Sequence, residues 1–198
     1  AGQSCCAVER IYANSSVYKE VCHAAIEYMN TLRVGNPMEE EIDIGPLAKI
    51  SGVHIVQSQL EDAKAKGADI YSHHDALPDG NHFTSPAICT NTNHEMKVMT
   101  EETFGPIVGI MPVDSDNEAV QLMNDSPYGL TASVWTKDKN KALNIGSKIE
   151  TGTFYMNRCD YLDPLLPWTG VKDSGNGCTL SALGIQTLTR PKTFYLRL

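Results

Sequence analysis

Long apolar runs, an excess of positive charge and paired cysteine motifs are all absent from this sequence of 198 residues. No apolar run reaches the ~18 residues that a membrane-spanning helix needs. The net charge of -8 argues against nucleic acids and anionic membranes as partners, because both attract basic surfaces. We therefore expect a protein that binds neither nucleic acid nor a membrane.

The six cysteines form no Cys-x-x-Cys pair, which argues against a zinc site and against a disulfide framework. A chain of this length buries enough apolar surface to fold without such links. The histidines also lack a second ligand cluster at a suitable spacing, so no metal site is predicted. We interpret the cysteines as reduced and mostly buried thiols of a cytoplasmic protein. They are Cys5, Cys6, Cys22, Cys89, Cys159 and Cys178.

Strand-like and helix-like segments alternate along the chain. Apolar residues at helical spacing predict helices over residues 17–32 and 51–66, with the serine pair at 15–16 and Ser51 as caps. A capping box at 115–118 and Asp138 predict two further helix starts. Strands are predicted at 10–13, 70–71, 82–88, 106–113, 130–136, 153–156 and 193–198. This alternation predicts an α/β domain with a mainly parallel sheet.

A cysteine-bearing segment stands near the start of the chain, where residues 2–7 are Gly-Gln-Ser-Cys-Cys-Ala. A glycine followed by a polar residue and a thiol permits a tight backbone that exposes sulfur beside main-chain N–H groups. Such groups stabilise a thiolate and the oxyanion formed when it attacks a carbonyl. The alternative is that Cys5 is a small buried apolar residue, as most single cysteines are.

A second polar segment, Glu-Glu-Thr-Phe-Gly at residues 101–105, directly precedes the apolar run at 106–113. That run is typical of a strand covered on both faces. Carboxylates and an aromatic ring are thereby placed at the edge of the sheet, where ligands bind in α/β folds. A solvated acidic turn is the alternative.

Glycine and proline are dense in residues 164–177, which we interpret as a loop. Glycines let a backbone approach a ligand closely, and they serve ordinary long loops equally well. No Gly-x-Gly-x-x-Gly follows a strand, so the segment does not predict a phosphate-binding turn.

The order of these segments resembles the aldehyde dehydrogenase superfamily over essentially the whole chain. Residues 2–7, 101–106 and 167–177 follow one another at the family's rough spacing, with shorter motifs between and after them. The shorter motifs are Gly45-Pro46, Asn124 with Tyr128-Gly129-Leu130, Gly152-Thr153, Asn157 and Leu183-Gly184. So many ordered matches are difficult to attribute to chance.

The resemblance implies the fold of that family's catalytic domain, an α/β domain of three layers with a mainly parallel sheet, over residues 1–189. Residues 190–198 are expected to supply an oligomerisation strand. Its alternating apolar residues would be buried against another subunit, so a homo-oligomer is expected. The family's cofactor-binding domain, its general-base glutamate and the amide of its oxyanion hole lie upstream, and their motifs do not occur here. We therefore expect the chain to be a fragment that is inactive by itself.

The resemblance also implies roles for individual residues. Cys5 corresponds to the nucleophile that gives a thiohemiacetal and then a thioester, from which water releases the carboxylic acid. Glu102 corresponds to the carboxylate that binds the nicotinamide ribose of NAD or NADP, and Phe104 to the aromatic residue near the nicotinamide. Asn157 corresponds to a residue that orders the active-site loops.

The expected mouth of the substrate pocket departs most from the family's pattern. Trp168 and Thr169 stand where the family more often has an aromatic residue and a glycine. Cys6 adds a second thiol, which we expect to point away from Cys5 along an extended backbone. The residues assigned to the pocket are Cys6, Asp160, Tyr161 and Trp168, and the expected substrate is a small-molecule aldehyde.

Two other functions are compatible with parts of the pattern. A non-catalytic interaction or regulatory fragment would keep the fold without turnover, and the missing upstream motifs favour it. A cysteine hydrolase would need a histidine held beside Cys5, and no sequence feature singles out one of the six histidines.

Overall fold

Helices and strands alternate along residues 1–198, all of which the computed structural model describes. The first part of the chain contains β1 (Arg10–Asn14), α1 (Tyr18–Met29), α2 (Ile50–Ala65), β2 (Asp69–Ser72), β3 (Ala87–Thr90), α3 (Lys97–Thr100), β4 (Ile107–Val113) and α4 (Asp116–Asn124). The remainder contains β5 (Tyr128–Gly129), β6 (Thr131–Val134), α5 (Lys139–Gly146), β7 (Thr153–Met156), β8 (Val171–Lys172) and α6 (Ser181–Thr187). The predicted α/β class is confirmed.

Two helices begin with the side-chain caps that the sequence predicts. The Ser115 hydroxyl accepts the N–H of Glu118 at 3.2 Å, and the Glu118 carboxylate reaches back to accept the N–H of Asp114 at 2.7 Å. Asp138 accepts two backbone N–H groups in the first turn of α5. These contacts satisfy N–H groups that have no partner inside the helix.

The predicted caps of α1 and α2 are wrong. No side chain caps α1, whose first residue is Tyr18, and Ser16 ahead of it bonds to the Asn14 side chain instead. α2 begins at Ile50, so Ser51 lies inside its first turn rather than ahead of it. Serine hydroxyls bond readily to nearby groups in turns, and such local bonds compete with capping.

The strand predicted at residues 82–88 is also shorter than expected. β3 begins only at Ala87, directly after Pro86. Proline has no N–H to contribute to a ladder of hydrogen bonds, so it marks the end of the pairing here.

A four-stranded sheet with the order β1-β4-β3-β2 is the centre of the first part of the chain. β1, β4 and β3 are parallel, and β2 lies antiparallel to β3 at one edge. Parallel neighbours require long crossover connections, which here contain the helices. The sheet is therefore mainly parallel, as the sequence predicts.

Helices cover both faces of this sheet. Because successive residues of a strand point to opposite faces, Ile88 and Cys89 of β3 enter different clusters. Ile88 packs with Cys22 and Met29 of α1, whereas Cys89 belongs to the cluster that contains Val56 of α2. The predicted arrangement of three layers, helix on sheet on helix, is confirmed.

The chain divides into two compact units, Ala1–Leu122 and Met123–Leu198. The sequence predicts one undivided domain over residues 1–189, because no linker, repeat or low-complexity tract divides it. In the second unit α5 joins the parallel strands β6 and β7, and the Phe154 ring of β7 lies against Gly146 of α5. β5 and β8 form a separate antiparallel pair.

Residues 190–198 adopt no regular structure, and their side chains are exposed. Phe194 is 72% exposed and Leu196 is 88% exposed. The strand predicted at residues 193–198 is therefore not formed within this chain, because a strand needs a hydrogen-bonded neighbour and none of the chain's strands pairs with this segment.

None of the helices combines the length and the apolar character that a membrane crossing requires.

Candidate active site

Cys5 lies at the tip of a tight turn over Ser4–Ala7, which the Ala7 N–H closes by donating to the Ser4 carbonyl at 3.0 Å. The Cys5 side chain is exposed, whereas Cys6 is only 9% exposed and its sulfur lies 3.4 Å from the Ser4 hydroxyl. The predicted extended backbone at this point is wrong, and the turn separates the environments of the two thiols. The Cys5 N–H has no acceptor within the chain, so it is free to bind an oxyanion.

Two residues ahead of Cys5 fix the position of this turn. Gly2 has a φ of 71°, and a Cβ atom at Gly2 would overlap the carbonyl oxygen of Gly105. Only glycine combines that backbone conformation with so close an approach. The Gln3 side chain accepts the Ala48 N–H at 2.8 Å and donates to the Pro46 carbonyl at 3.3 Å. The cysteine turn is therefore attached to two other segments of its unit.

The segment that precedes β4 presents two exposed side chains around one buried residue. Glu102 and Phe104 are exposed, and Thr103 between them is only 2% exposed. Phe104 has a φ of 51°, in the left-handed region that a residue with an aromatic side chain rarely occupies. A left-handed phenylalanine persists only where neighbouring contacts hold it.

Those contacts come from Glu9 and Gln59. The two carboxylate oxygens of Glu9 accept the N–H groups of Thr103 at 2.9 Å and of Phe104 at 3.2 Å. The Gln59 amide donates to the Glu102 carbonyl at 3.2 Å and accepts the Thr103 hydroxyl at 2.6 Å. The backbone of this segment is thus held from two directions while Glu102 and Phe104 stay accessible.

The structure brings the cysteine segment and the Glu102–Phe104 segment together at one edge of the sheet. Gly2 contacts Gly105, and Glu9, four residues after Cys5, binds the backbone of the other segment. Both segments precede parallel strands, β1 and β4, so this edge is the amino end of the strands. Ligands of open α/β sheets ordinarily lie at the carboxyl end, so the sheet-edge argument for a ligand at residues 101–105 is wrong for this position.

Two of the other thiols are poorly suited to nucleophilic chemistry. Burial raises the pKa of Cys22, and it raises the pKa of Cys89 to about 12. Because the thiolate is the nucleophile, a raised pKa makes these cysteines inert at neutral pH. Cys159 is exposed and Cys178 is half-buried.

The histidines form neither a metal centre nor a catalytic pair with Cys5. No group of three or more His, Cys, Asp or Glu side chains is placed to hold a metal ion. His74 contacts Asn30, and His82 bonds to the Leu47 carbonyl. No histidine hydrogen-bonds to Cys5, so the structure gives the hydrolase alternative no support.

Asn157, in the second unit, joins the ends of β6 and β7. Its side chain accepts the Thr136 N–H at 2.9 Å and donates to the Thr136 carbonyl at 2.8 Å. Its φ of 55° is one that asparagine tolerates better than most residues. These bonds tie the residue after β7 to the residue two positions after β6, and the expected role of Asn157 in ordering active-site loops stays a prediction.

The residues expected at the substrate mouth also lie in the second unit, apart from Cys6. The Arg158 guanidinium stands 3.6 Å from the ring centroid of Tyr161. Tyr155 donates its hydroxyl hydrogen to the Tyr161 carbonyl at 2.5 Å. Asp160 is exposed, and Trp168 pairs with Thr179 in an isolated bridge. Their assignment to a substrate pocket stays a prediction.

Sequence reasoning missed Glu9 and Gln59. A signal existed for Gln59, because it continues the helical spacing of the apolar residues Val53, Val56 and Ala63, and a polar residue on a buried face needs a partner. Glu9 gives no such signal, since a glutamate directly before a strand is ordinary in a solvated turn.

Comparison with known proteins identifies the family. Residues 1–194 match the model of the aldehyde dehydrogenase family. The chain belongs to this family. An aldehyde dehydrogenase of Paenarthrobacter nicotinovorans is 36% identical over 98% of the chain, which spans 43% of that relative. The NADP⁺ succinate-semialdehyde dehydrogenase 1 of Mycobacterium bovis is 34% identical, also over 98% of the chain and 43% of the relative. The 3-sulfolactaldehyde dehydrogenase of Priestia aryabhattai is 36% identical over 100% of the chain and 41% of the relative.

Solved aldehyde dehydrogenases share the fold. The betaine aldehyde dehydrogenase of Staphylococcus aureus, solved with NAD⁺, matches with a TM-score of 0.87 and 32% identity over 94% of this chain and 38% of that one. A mutant aldehyde dehydrogenase of Bacillus cereus matches with a TM-score of 0.89 and 31% identity, over 96% and 38%. The chain therefore spans about two fifths of the length of these relatives.

Proposed function

We propose that this chain is the cysteine-bearing catalytic segment of an NAD(P)-dependent aldehyde dehydrogenase that oxidises an aldehyde to a carboxylic acid. One observation carries the proposal: an exposed cysteine on a tight turn lies in the segment that packs against the loop presenting Glu102 and Phe104. Family membership supplies the reaction class, and this arrangement supplies the residues.

Cys5 is the proposed nucleophile. Its thiolate attacks the carbonyl carbon of the aldehyde, and the C–S bond that forms makes a thiohemiacetal. Loss of hydride from that carbon gives a thioester, and water then cleaves the C–S bond to release the acid and restore the thiolate. The free N–H of Cys5 stabilises the oxyanion of the first step, because backbone donors held in place act strongly on developing charge.

Glu102 and Phe104 are the proposed contacts for the cofactor, which supplies the hydride acceptor when it is bound. The chemistry of the two side chains fits a nicotinamide nucleoside. An ionised carboxylate accepts hydrogen bonds from ribose hydroxyls, and an aromatic ring packs on the flat nicotinamide. Both side chains are exposed while the backbone between them is held, so the site is preorganised.

Substitution of single cysteines offers a matched test of the nucleophile. Because we expect the chain to be inactive by itself, the activity assays use the complete dehydrogenase of which we propose it is a segment. In that enzyme we expect Cys5→Ser to lower the rate of aldehyde-dependent NAD(P)H formation at least about 1,000-fold, because serine lacks a thiolate. Cys178→Ser is the control, since it makes the same chemical change at a half-buried cysteine outside the proposed site. Mass spectrometry of protein quenched during turnover should find the acyl group on Cys5. Equal activity of wild type and Cys5→Ser would refute the assignment.

The aldehyde and the cofactor are best identified with a small panel. Two of the relatives are named for anionic aldehydes, succinate semialdehyde and 3-sulfolactaldehyde, and a solved neighbour is named for cationic betaine aldehyde. The panel therefore needs anionic and cationic aldehydes, each assayed with NAD and with NADP. Arg158, which lies exposed over Tyr161, leads us to expect the higher kcat/KM for an anionic aldehyde. Within the second unit, Asp160, Tyr161 and Trp168 are the residues that we propose for contact with the aldehyde, and Asn157 is proposed to order the loop that follows β7.

Self-association through residues 193–198 is a second part of the proposal. Phe194, Leu196 and Leu198 alternate with more polar neighbours and are all exposed, which leaves an apolar face without cover. An extended segment with an unpaired backbone recruits a strand from another chain. All six cysteines are free thiols, which favours a reducing compartment such as the cytoplasm.

A further inference from the structure

Glu9 makes a contact that the proposed chemistry does not yet use. Its carboxylate lies half-buried directly before β1 and accepts two successive N–H groups, those of Thr103 and Phe104. Neither N–H has another acceptor within the chain. The two bonds therefore determine how the backbone passes between the exposed side chains of Glu102 and Phe104.

We propose that Glu9 is a positioning residue, which sets the geometry of Glu102 and Phe104 toward the cofactor and links it to the cysteine segment. This inference rests on the proposed function, because it assigns those two side chains to the cofactor. Glu9 itself touches neither the substrate nor the cofactor in this account.

The chemistry of the contact explains why a carboxylate stands here. Two adjacent N–H groups that converge need two acceptors, and an ionised carboxylate provides acceptors only. Hydrogen bonds to a charged group are shorter and stronger than neutral ones, so the pair resists distortion. The left-handed backbone of Phe104 needs such a constraint, because its side chain disfavours that conformation.

The pairing of β1 with β4 fixes both of the segments that the Glu9 hydrogen bonds join. Arg10 of β1 is paired with Gly109 of β4, so the segments ahead of the two strands cannot shift independently. The Arg10 side chain also donates to the Met99 carbonyl at 2.5 Å. A change at Glu9 is thereby confined to the short segment that it binds.

The test compares Glu9→Gln and Glu9→Ala with Glu61→Gln, a control that makes the same carboxylate-to-amide change on the exposed face of α2. Two measurements are made on the complete dehydrogenase of which we propose the chain is a segment. Hydrogen exchange of the peptide covering residues 101–105 reports the two hydrogen bonds without cofactor. Titration with NAD and NADP gives the dissociation constant, and steady-state kinetics separates the KM of the cofactor from that of the aldehyde.

Glu9→Gln keeps the shape of the side chain but turns an N–H donor toward a backbone N–H, so one bond is lost. We expect exchange at residues 101–105 to accelerate about tenfold or more, and the dissociation constant of the cofactor to rise about tenfold. Glu9→Ala should exceed both effects. The KM of the aldehyde and the alkylation rate of Cys5 without cofactor should stay within about twofold of wild type, as should every value for Glu61→Gln.

Each remaining outcome overturns the inference in a recognisable way. Unchanged exchange at residues 101–105 would mean that the Glu9 bonds do not hold this segment. Faster exchange with unchanged cofactor affinity would mean that the segment does not position the cofactor. Equal rises in the KM of the cofactor and of the aldehyde would indicate a general structural role. If Glu102→Gln and Phe104→Ala also leave the affinity unchanged, the proposed function of those two residues fails as well. If Glu9→Ala does not fold, the near-isosteric Glu9→Gln still tests the inference through the same two measurements.

Discussion

Replacing Gln59 with methionine would remove both bonds by which α2 holds the segment ahead of β4. Gln59 is 1% exposed and Thr103 is 2% exposed, so neither partner can turn to water instead. Each lost hydrogen bond contributes about 1 kcal/mol, and each polar group left unpaired in the interior costs roughly 1–3 kcal/mol. Methionine fills nearly the same volume, so little cavity forms. We expect Gln59→Met to lower the free energy of unfolding by about 2–4 kcal/mol.

The bond between Gln59 and Thr103 can be isolated with a second substitution. Thr103→Val keeps the shape of the side chain, removes the hydroxyl, and leaves an acceptor on Gln59 unpaired, which should lower the free energy of unfolding by about 1–2 kcal/mol. In the double variant both polar partners are gone. Its loss should therefore be smaller than the sum of the single losses by at least about 1 kcal/mol.

Urea unfolding of the four proteins, followed by circular dichroism, measures this cycle. Gln57→Met is the matched control, because Gln57 is an exposed glutamine on the same helix, and its effect should stay within about 0.5 kcal/mol. If the loss of unfolding free energy in the double variant equals the sum of the two single losses to within about 0.5 kcal/mol, the reasoning is refuted. Such additivity would mean that the two side chains do not interact.

Three further outcomes follow from the same structure. Iodoacetamide at neutral pH should label the exposed Cys5 far faster than the buried Cys22 and Cys89. The Cys89 thiol, with a pKa of about 12, is ionised in roughly one molecule in 100,000. Equally fast labelling of Cys89, read by mass spectrometry, would contradict this. The Lys66 ammonium and a backbone N–H of α3 lower the pKa of Asp62 in the folded protein. The ionised carboxylate therefore stabilises the fold above the ordinary carboxyl pKa of about 3.9, and this stabilisation is lost as the pH falls through the lowered pKa. Asp62→Asn should therefore be about 1 kcal/mol less stable at neutral pH and approach wild type in acid, and a difference that stays constant with pH would argue against the charge. Sedimentation should find a smaller particle for a chain ending at residue 190 than for the intact chain, and identical sedimentation would remove the case for association through residues 193–198.

The sequence by itself indicated candidate segments, because those signals are local. Cys5 became a candidate from the glycine and polar residue ahead of it, and Glu102 and Phe104 from the polar segment before an apolar strand, whereas their proposed roles depend on the resemblance of the ordered motifs to the family. The capping residues Ser115 and Asp138 were likewise predictable, because a cap acts on residues no more than four positions away. The order of the motifs was sufficient to identify the family.

Local signals failed where several hydrogen-bond partners compete or where the partner is distant. The Ser16 hydroxyl bonds to the Asn14 side chain instead of capping α1, and spacing alone does not rank such partners. The terminal residues 193–198 have the alternation of a strand, yet a strand forms only against a neighbour that this chain does not supply.

Only the tertiary structure decided how the cysteine turn and the Glu102 segment are held together. Glu9 is separated from Phe104 by 95 positions, and Gln59 from Thr103 by 44. Their bonds exist because β1 and β4 are neighbours in the sheet although α1, α2, β2, β3 and α3 lie between them in the chain. Hydrogen bonding acts over about 3 Å in space, whatever the separation along the chain, so no local pattern around Glu9 or Phe104 encodes their contact.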